Sequence, residues 1–299
     1  MNILITGANG FVGLHAASTL ERYGHTVKCA VRSSNNTVAG YDNYVIPNMS
    51  KDSNWDAALE GIDAVIHLVA KTHSADDSRN QLRAYREVNV EITKAICLAI
   101  KRSSVRHLIF LSSIKVHGET TDKHPFTESS PTAPEDAYGQ TKLEAEQMIK
   151  ELLQDSDVIC TIVRPPLIWG KEYKGNLAAM QSAIIKGYPI PFSGIRNARS
   201  IVKIETVSAF LAACVSQSEH AAGTFLLAEV RRVSTPELFF MLGKNLGVRP
   251  RLFFVPPLAL SVLLRALGRE SLIKKLLRNL EVDASKSRVL LNSFEAQQR

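Results

Sequence analysis

Tyr138 and Lys142 stand four residues apart in the stretch Tyr138-Gly139-Gln140-Thr141-Lys142. On a helix that spacing puts both side chains on one face, about one turn from each other. A free phenol titrates at about 10 and is a poor acid or base at neutral pH, but a neighbouring ammonium favours the phenolate and brings its pKa towards the working range. The same spacing falls on ordinary surface helices, so the pair alone leaves a catalytic and a solvated reading open. Ser113 favours the first. It follows an apolar run at 108–111 that reads as a buried strand, and ligands of a doubly wound sheet sit beyond the carboxyl ends of its strands. A hydroxyl there can donate to a carbonyl while Tyr138 exchanges a proton and a nicotinamide exchanges a hydride.

A dinucleotide needs a cradle for its pyrophosphate, and Gly7, Gly10 and Gly13 offer one directly after an apolar strand at 3–5. Glycine lets the chain turn tightly and lets backbone N–H groups approach phosphate, while the positive end of the following helix faces its charge. Phe11, Val12, Ala16 and Leu20 supply that helix with an apolar face. The spacing is Gly-x-x-Gly-x-x-Gly rather than Gly-x-Gly-x-x-Gly, and taken alone it serves a cofactor site or a plain strand-to-helix turn equally well. Its position in the opening strand–turn–helix strengthens the cofactor reading.

The elements that must position these residues follow from periodicity. Strands are expected at 26–31, 44–46, 64–70, 108–111 and 158–163, a brief helix around Trp55, Ala58 and Leu59, and longer helices at 85–100 and 138–153. Their alternation predicts an α/β fold, a mostly parallel doubly wound sheet covered on both faces, over residues 1–165. Beyond Pro166 the rhythm breaks into a helix at 177–186, a strand at 200–204, a helix at 207–215 and a basic, leucine-rich end. Residues 166–299 are therefore expected to form mainly a smaller substrate-binding domain, with a strand and helix near 198–216 returning to the first.

The formal net charge of +7 invites a nucleic-acid reading, but much of the excess lies after residue 229 without interleaved aromatics, so no nucleic acid is expected. Cys29, Cys97, Cys160 and Cys214 form no Cys-x-x-Cys pair and no histidine spacing suggests a metal site. Together with the absence of a secretory core before Gly7, this predicts a cytoplasmic protein. Residues 253–264 are almost wholly apolar and are followed by Arg265, Arg269, Lys274, Lys275 and Arg278. Too short to span a bilayer, this stretch reads as packing against the C-terminal domain in preference to lying on anionic lipid.

In several motifs the chain resembles the extended short-chain dehydrogenase/reductases, in their nucleotide-sugar epimerase/dehydratase branch. The resemblance is carried by Thr6 to Gly13, His67-Leu68-Val69-Ala70, Asn89-Val90, Leu111-Ser112-Ser113, Tyr138 to Lys142, Arg164-Pro165-Pro166 and Arg199-Ser200, and covers residues 1–291. It implies a Rossmann fold in which Gly7, Gly10 and Gly13 hold the pyrophosphate, with Phe11, Val12, Ala70 and Pro165 in the motifs around the cofactor. It further implies Tyr138 as acid/base, Ser113 as carbonyl partner, Lys142 on the nicotinamide ribose and Asn89 as a supporting amide. Asn48 falls where relatives place an aspartate near the adenine. Asn176 and Arg199 resemble substrate contacts, an arginine suiting a nucleotide diphosphate, with Arg196 and Lys203 as weaker counterparts. Ser113-Ile114-Lys115-Val116 is similar to a segment of a subgroup acting on 4-keto-6-deoxy-sugar nucleotides, which would aim Lys115 at substrate; Lys115, His117 and His73 fit a loop surface as well.

The activity implied is oxidoreduction at C4 of a nucleotide-activated, UDP-linked hexose for surface polysaccharide or sugar-nucleotide synthesis, by a 4-ketoreductase or a 4-epimerase. A non-catalytic cofactor sensor of the same superfamily is the alternative, and a homodimer is implied by the family. In NAD-selective relatives an acidic side chain ends the second strand, whereas here Val31 stands there, followed by Arg32, Ser33 and Ser34. Arg32 is expected to hold a 2′-phosphate, so NADP(H) is the preferred cofactor, with NAD(H) compatible if Arg32 only stacks on adenine. One departure is the end: relatives continue after 283–286 with a Leu-Gly-Trp turn and a final helix, where this chain reads Leu290-Leu291-Asn292-Ser293-Phe294, which puts closure of the substrate domain in question.

Overall fold

A computed structural model describes residues 1–47, 49–72, 81–170 and 175–298. The strands are β1 (Asn2–Thr6), β2 (Thr26–Val31), β3 (Asp42–Val45), β4 (Ala64–His67), β5 (His107–Leu111), β6 (Ile159–Arg164), β7 (Leu167–Trp169), β8 (Ile201–Lys203) and β9 (Gly223–Leu226). Seven of them form one parallel sheet in the order β3-β2-β1-β4-β5-β6-β9, and β7 pairs with β8 in a separate ribbon. The helices are α1 (Phe11–Arg22), α2 (Gln81–Arg86), α3 (Ile92–Ile100), α4 (Ala137–Leu153), α5 (Gly175–Ile185), α6 (Ile204–Ser216), α7 (Thr235–Leu246), α8 (Pro257–Ala266), α9 (Glu270–Leu277) and α10 (Ser285–Gln297).

The central strands read as unbroken apolar runs because both faces of the sheet are covered. Ile3, Ile5 and Ile66 pack with α1, α6 and Phe294 of α10 on one face, while Leu4, Val65 and Phe110 pack with Ile96 of α3 and Ile149 of α4 on the other. The expected doubly wound sheet is thus present. The strand that returns to it from the second half is β9, which pairs with β6, whereas the expected 200–204 strand joins β7. The returning helix is α6, whose Val207, Phe210 and Leu211 share a core with Ala16, Ala17 and Leu20 of α1. Outside the sheet, α5 and α7 enclose a smaller core around Leu177, Met180, Ile184 and Phe239.

Three local expectations are corrected. Trp55, Ala58 and Leu59 are buried, but around a single turn closed by Leu59 N–H to Trp55 C=O at 3.0 Å and soon ended by Gly61 at φ 69°; one turn is too little to propagate a helix. The strand expected to reach Ala70 stops at His67, level with the last residue of β1, and the Leu68 N–H turns to the Thr6 carbonyl. The helix expected at 85–100 begins at Gln81 and is interrupted by a π turn at Glu87–Glu91, centred on buried Asn89. At the far end α10 closes onto the sheet, with Phe294 fully buried and its ring 4.8 Å from that of Tyr23.

Candidate active site

The glycine turn is built by geometry that only glycine meets. Gly7 has φ 71°, in the left-handed region, and its carbonyl accepts from Gly10 N–H at 3.0 Å. A Cβ on Gly13 would lie 2.4 Å from the Gly7 carbonyl oxygen and 2.6 Å from Ala8 Cα, so α1 rests directly on the turn because residue 13 has no side chain. Gly10 caps α1 without a side-chain hydrogen bond, and the first turn carries no acidic residue. The first N–H groups of the helix therefore face the cleft with their donor capacity and positive dipole unspent, the arrangement that attracts an anionic phosphate.

Across the cleft, α4 begins at a cap in which Asp136 Oδ1 accepts from Gly139 N–H at 2.7 Å. A Cβ on Gly139 would approach the Lys115 carbonyl oxygen to 2.7 Å. Glycine after Tyr138 thus lets the helix start settle on the loop that follows β5, which brings the phenol to Ser113. Both side chains line the cleft, and Ser113 Oγ accepts from Lys115 N–H at 3.2 Å. The Lys115 ammonium is gripped by Asp136 and by Glu119 Oε1 at 2.7 Å. Burial pulls its pKa down, but the two carboxylates outweigh that and leave it above the ordinary lysine value.

The expected lowering of the Tyr138 pKa is not found in this state. Burial pushes the phenol above its ordinary value, the Asp136 charge adds to that, and the neighbouring Ser113 hydroxyl offsets only part. Lys142 does share the helix face, yet its ammonium sits 3.9 Å from the centre of the Phe110 ring, inside the fold. Burial lowers its pKa to about 7, with Glu146 opposing. An ammonium sunk in the core and easily discharged gives the phenolate little support.

The cleft between these walls has a volume of about 570 Å³. Gly7, Gly10, Phe11, Val12, Gly13, Ala70 and Pro165 line its glycine side, and Ser113, Tyr138, Lys115 and Asn176 line the remainder. Asn89 stands behind the wall. Its Oδ1 accepts from Lys71 N–H at 2.7 Å, and its Nδ2 donates to the Lys71 carbonyl at 3.2 Å and to Thr141 Oγ1 at 3.0 Å, tying the loop after β4 to α4. Arg32 is exposed at the end of β2. Arg199 does not line the cleft: its Nη1 donates to the Lys274 and Arg278 carbonyls at 3.1 and 2.9 Å, and burial lowers its pKa to about 10. The expectation of a free substrate contact there is corrected, because the guanidinium satisfies the carbonyl end of α9. His117 is buried against Arg164 at 2.7 Å and stacked on Phe126, away from the cleft lining. Asn48 and His73 lie outside the described residues.

Comparison with known proteins places this geometry. The profile described as "NAD dependent epimerase/dehydratase family" matches residues 3–221. The chain belongs to that family. It is 32% identical over 294 residues to a UDP-glucose 4-epimerase of Vibrio cholerae, an alignment covering 97% of this chain and 89% of the relative. It is 28% identical over 219 residues to an N-acetyl-alpha-D-glucosaminyl-diphospho-ditrans,octacis-undecaprenol 4-epimerase of Escherichia coli O157:H7, covering 70% of this chain and 62% of that one. In fold it superposes on the crystal structure of UDP-glucuronic acid 4-epimerase from Bacillus cereus in complex with NAD with a TM-score of 0.77 at 18% identity, over 98% and 92% of the two chains.

The residues present fit the dinucleotide that defines the family. The uncapped N-terminus of α1 opens onto the cleft, and Ser112 Oγ, buried on the opposite wall, has no protein partner. Several cleft residues had escaped sequence reasoning. Asp136 was detectable as an N-cap three residues before Gly139, since aspartate is a preferred cap. Tyr85, Gln81 and Lys275 line the cleft from α2 and α9 with no pattern to announce them.

Proposed function

We propose that the chain interconverts the C4 configuration of a UDP-linked hexose, acting as an NAD(P)-dependent sugar-nucleotide 4-epimerase. The observation that carries this reading is that Ser113 and Tyr138 line one cleft together with the uncapped N-terminus of α1. The Vibrio cholerae relative, similar along nearly the whole chain, supports C4 as the reacting carbon. A bound nicotinamide supplies the hydride acceptor and donor. Gly7, Gly10 and Gly13, with Phe11 and Val12, would hold its pyrophosphate, Ala70 and Pro165 would line its remaining length, and Lys142 would serve its ribose.

In this reading Tyr138 takes the proton of the C4 hydroxyl and returns it to the oxygen when the opposite configuration forms, and Ser113 donates a hydrogen bond to the same oxygen. Because burial holds the phenol protonated in the unliganded chain, the base form requires a positive charge beside it when substrate is bound. Lys142, one helical turn away, would provide it only by turning its ammonium from Phe110 towards the cleft. Asn176 and Lys115 would meet the sugar end, and the lobe of α5 and α7 would enclose the nucleotide. A cytoplasmic homodimer belongs to the same proposal. Incubation with UDP-glucose or UDP-galactose should yield both C4 epimers by NMR, and Tyr138→Phe should lower kcat by at least about 100-fold, the scale of general acid–base catalysis. A chain that binds NAD(P) but turns over none of a panel of UDP-hexoses and their 4-keto-6-deoxy derivatives would be a cofactor sensor instead.

A specific feature favours a second reading, 4-keto reduction with exchangeable NADPH. No carboxylate ends β2; Val31 is buried there and Arg32 follows, exposed and with no carboxylate partner among the described residues. In that case a UDP-4-keto-6-deoxyhexose, not a UDP-hexose, would be consumed, with one NADPH oxidised per sugar reduced.

A further inference from the structure

α8 is apolar over most of its circumference, with Ser261 and Arg265 the polar exceptions. Leu260 and Leu264 turn inward to a small core with Ile195 and Ile273. Leu258, Val262 and Leu263 point outward, with Leu258 78% exposed, and Phe253, Phe254 and Leu267 extend the exposed surface on either side. A helix that is apolar on its outward as well as its inward side needs a second cover, and exposed apolar surface of this kind marks an interaction site. The expectation that this stretch is covered by its own domain therefore holds for its inner side only.

Charge identifies what covers the outer side. Residues 251–279 carry six basic side chains (Arg251, Arg265, Arg269, Lys274, Lys275 and Arg278) against a single acidic one, Glu270. Lys274 is paired with Glu135, but Arg265 and Arg269, exposed at the C-terminal end of α8, have no carboxylate partner among the described residues. A symmetric contact with a second copy would set this basic surface against itself. No helix among the described residues is long and apolar enough to cross a membrane. An apolar face bordered by unpaired arginines instead matches a helix lying in the headgroup–acyl boundary of an anionic leaflet.

We propose that α8, with Phe253 and Phe254, docks the protein on an anionic membrane surface. The adjoining helix α9 contributes Lys275 to the cleft, so docking brings the cleft rim close to the headgroups. This docking is independent of which sugar the cleft takes.

The test is vesicle flotation of the full chain with phosphatidylcholine vesicles, with and without 30% phosphatidylglycerol. Co-flotation is expected with the anionic vesicles only, and should weaken in high salt. Arg265→Ala with Arg269→Ala should reduce partitioning by roughly 25-fold, about fivefold per charge. Leu258→Glu with Val262→Glu should abolish it while leaving the thermal midpoint and NAD(P) affinity unchanged, because both side chains are exposed. Absence of flotation by the parent protein, or flotation undiminished in the folded Leu258→Glu/Val262→Glu variant, overturns the proposal. So does analytical ultracentrifugation showing a dimer that this variant dissolves, since the face would then be covered by a second copy.

Discussion

Asn89 donates from Nδ2 to Thr141 Oγ1 at 3.0 Å, across 52 residues of sequence and from the one π turn among the described residues. Such turns widen the helix locally and recur at functional sites. Here the widened turn delivers a fully buried amide that also holds both backbone groups of Lys71, next to cleft-lining Ala70 and Thr72. Asn89→Ala should destabilise the fold by about 1–3 kcal/mol, since it leaves buried polar groups unpaired. It should also weaken cofactor binding, because the loop beside Ala70 loses its tether. Denaturant titration and NAD(P) titration check the two effects, and unchanged cofactor affinity would confine Asn89 to a structural role.

A second prediction concerns Lys142, whose burial lowers its pKa from 10.5 to about 7. Below pH 7 the lysine is charged in both folded and unfolded states, and the fold bears the full penalty of burying it. Between about pH 7 and 10.5 the unfolded chain binds more protons than the folded one, so stability from this residue rises with pH. Lys142→Met should therefore stabilise the protein at pH 6.5, on the order of 5 kcal/mol for a pKa drop from 10.5 to about 7 at about 1.4 kcal/mol per pKa unit. The gain should shrink steadily towards pH 10 while activity is lost throughout. A pH-independent gain would mean that packing, not charge burial, is what the substitution changes.

Glu146 and Arg164 form a buried pair, with Nε to Oε1 at 2.9 Å and a second contact between Nη2 and Oε2. His117 Nε2 accepts from Arg164 Nη1 on the far side of the guanidinium at 2.7 Å. Removing one partner strands a buried charge, so Glu146→Gln or Arg164→Met should each destabilise by about 3–5 kcal/mol. Replacing both with apolar residues should recover most of that loss. Chemical denaturation of the singles and the double measures the coupling, and additive losses in the double would show that the pair acts through separate contacts.

The parts of this structure that were legible in sequence are those whose local chemistry and tertiary role coincide. Gly7, Gly10 and Gly13 announce a turn and also perform it, and Tyr138 to Lys142 lie on a helix whose period the residues display. What stayed hidden depends on distant partners. β9 is four residues long and becomes a strand only because β6 offers it an edge. Arg199 looks like a free cation until α9 ends beside it, 75 residues later in the chain. Lys142 lies on the expected face, but its ammonium is drawn towards Phe110 by a contact that no spacing encodes.

The cofactor preference rests on the end of β2. Val31 is buried, pairs with Val45 of β3 and carries no acceptor for a ribose hydroxyl, and Arg32 is the first exposed residue beyond it. Ser33 is less available than its sequence position suggests, because its hydroxyl donates to Asn36 Oδ1 at 3.1 Å. Recognition of a 2′-phosphate would thus fall mainly to Arg32, through charge-assisted hydrogen bonds worth about 1.5–3 kcal/mol. The expected outcome is that NADPH binds at least about tenfold more tightly than NADH, since about 1.4 kcal/mol is tenfold. Arg32→Ala should remove that difference by weakening NADPH alone. Isothermal titration of both cofactors against both proteins checks this. Equal affinities in the parent protein would mean that Arg32 does not read the phosphate and would favour epimerisation with a retained NAD over dedicated reduction.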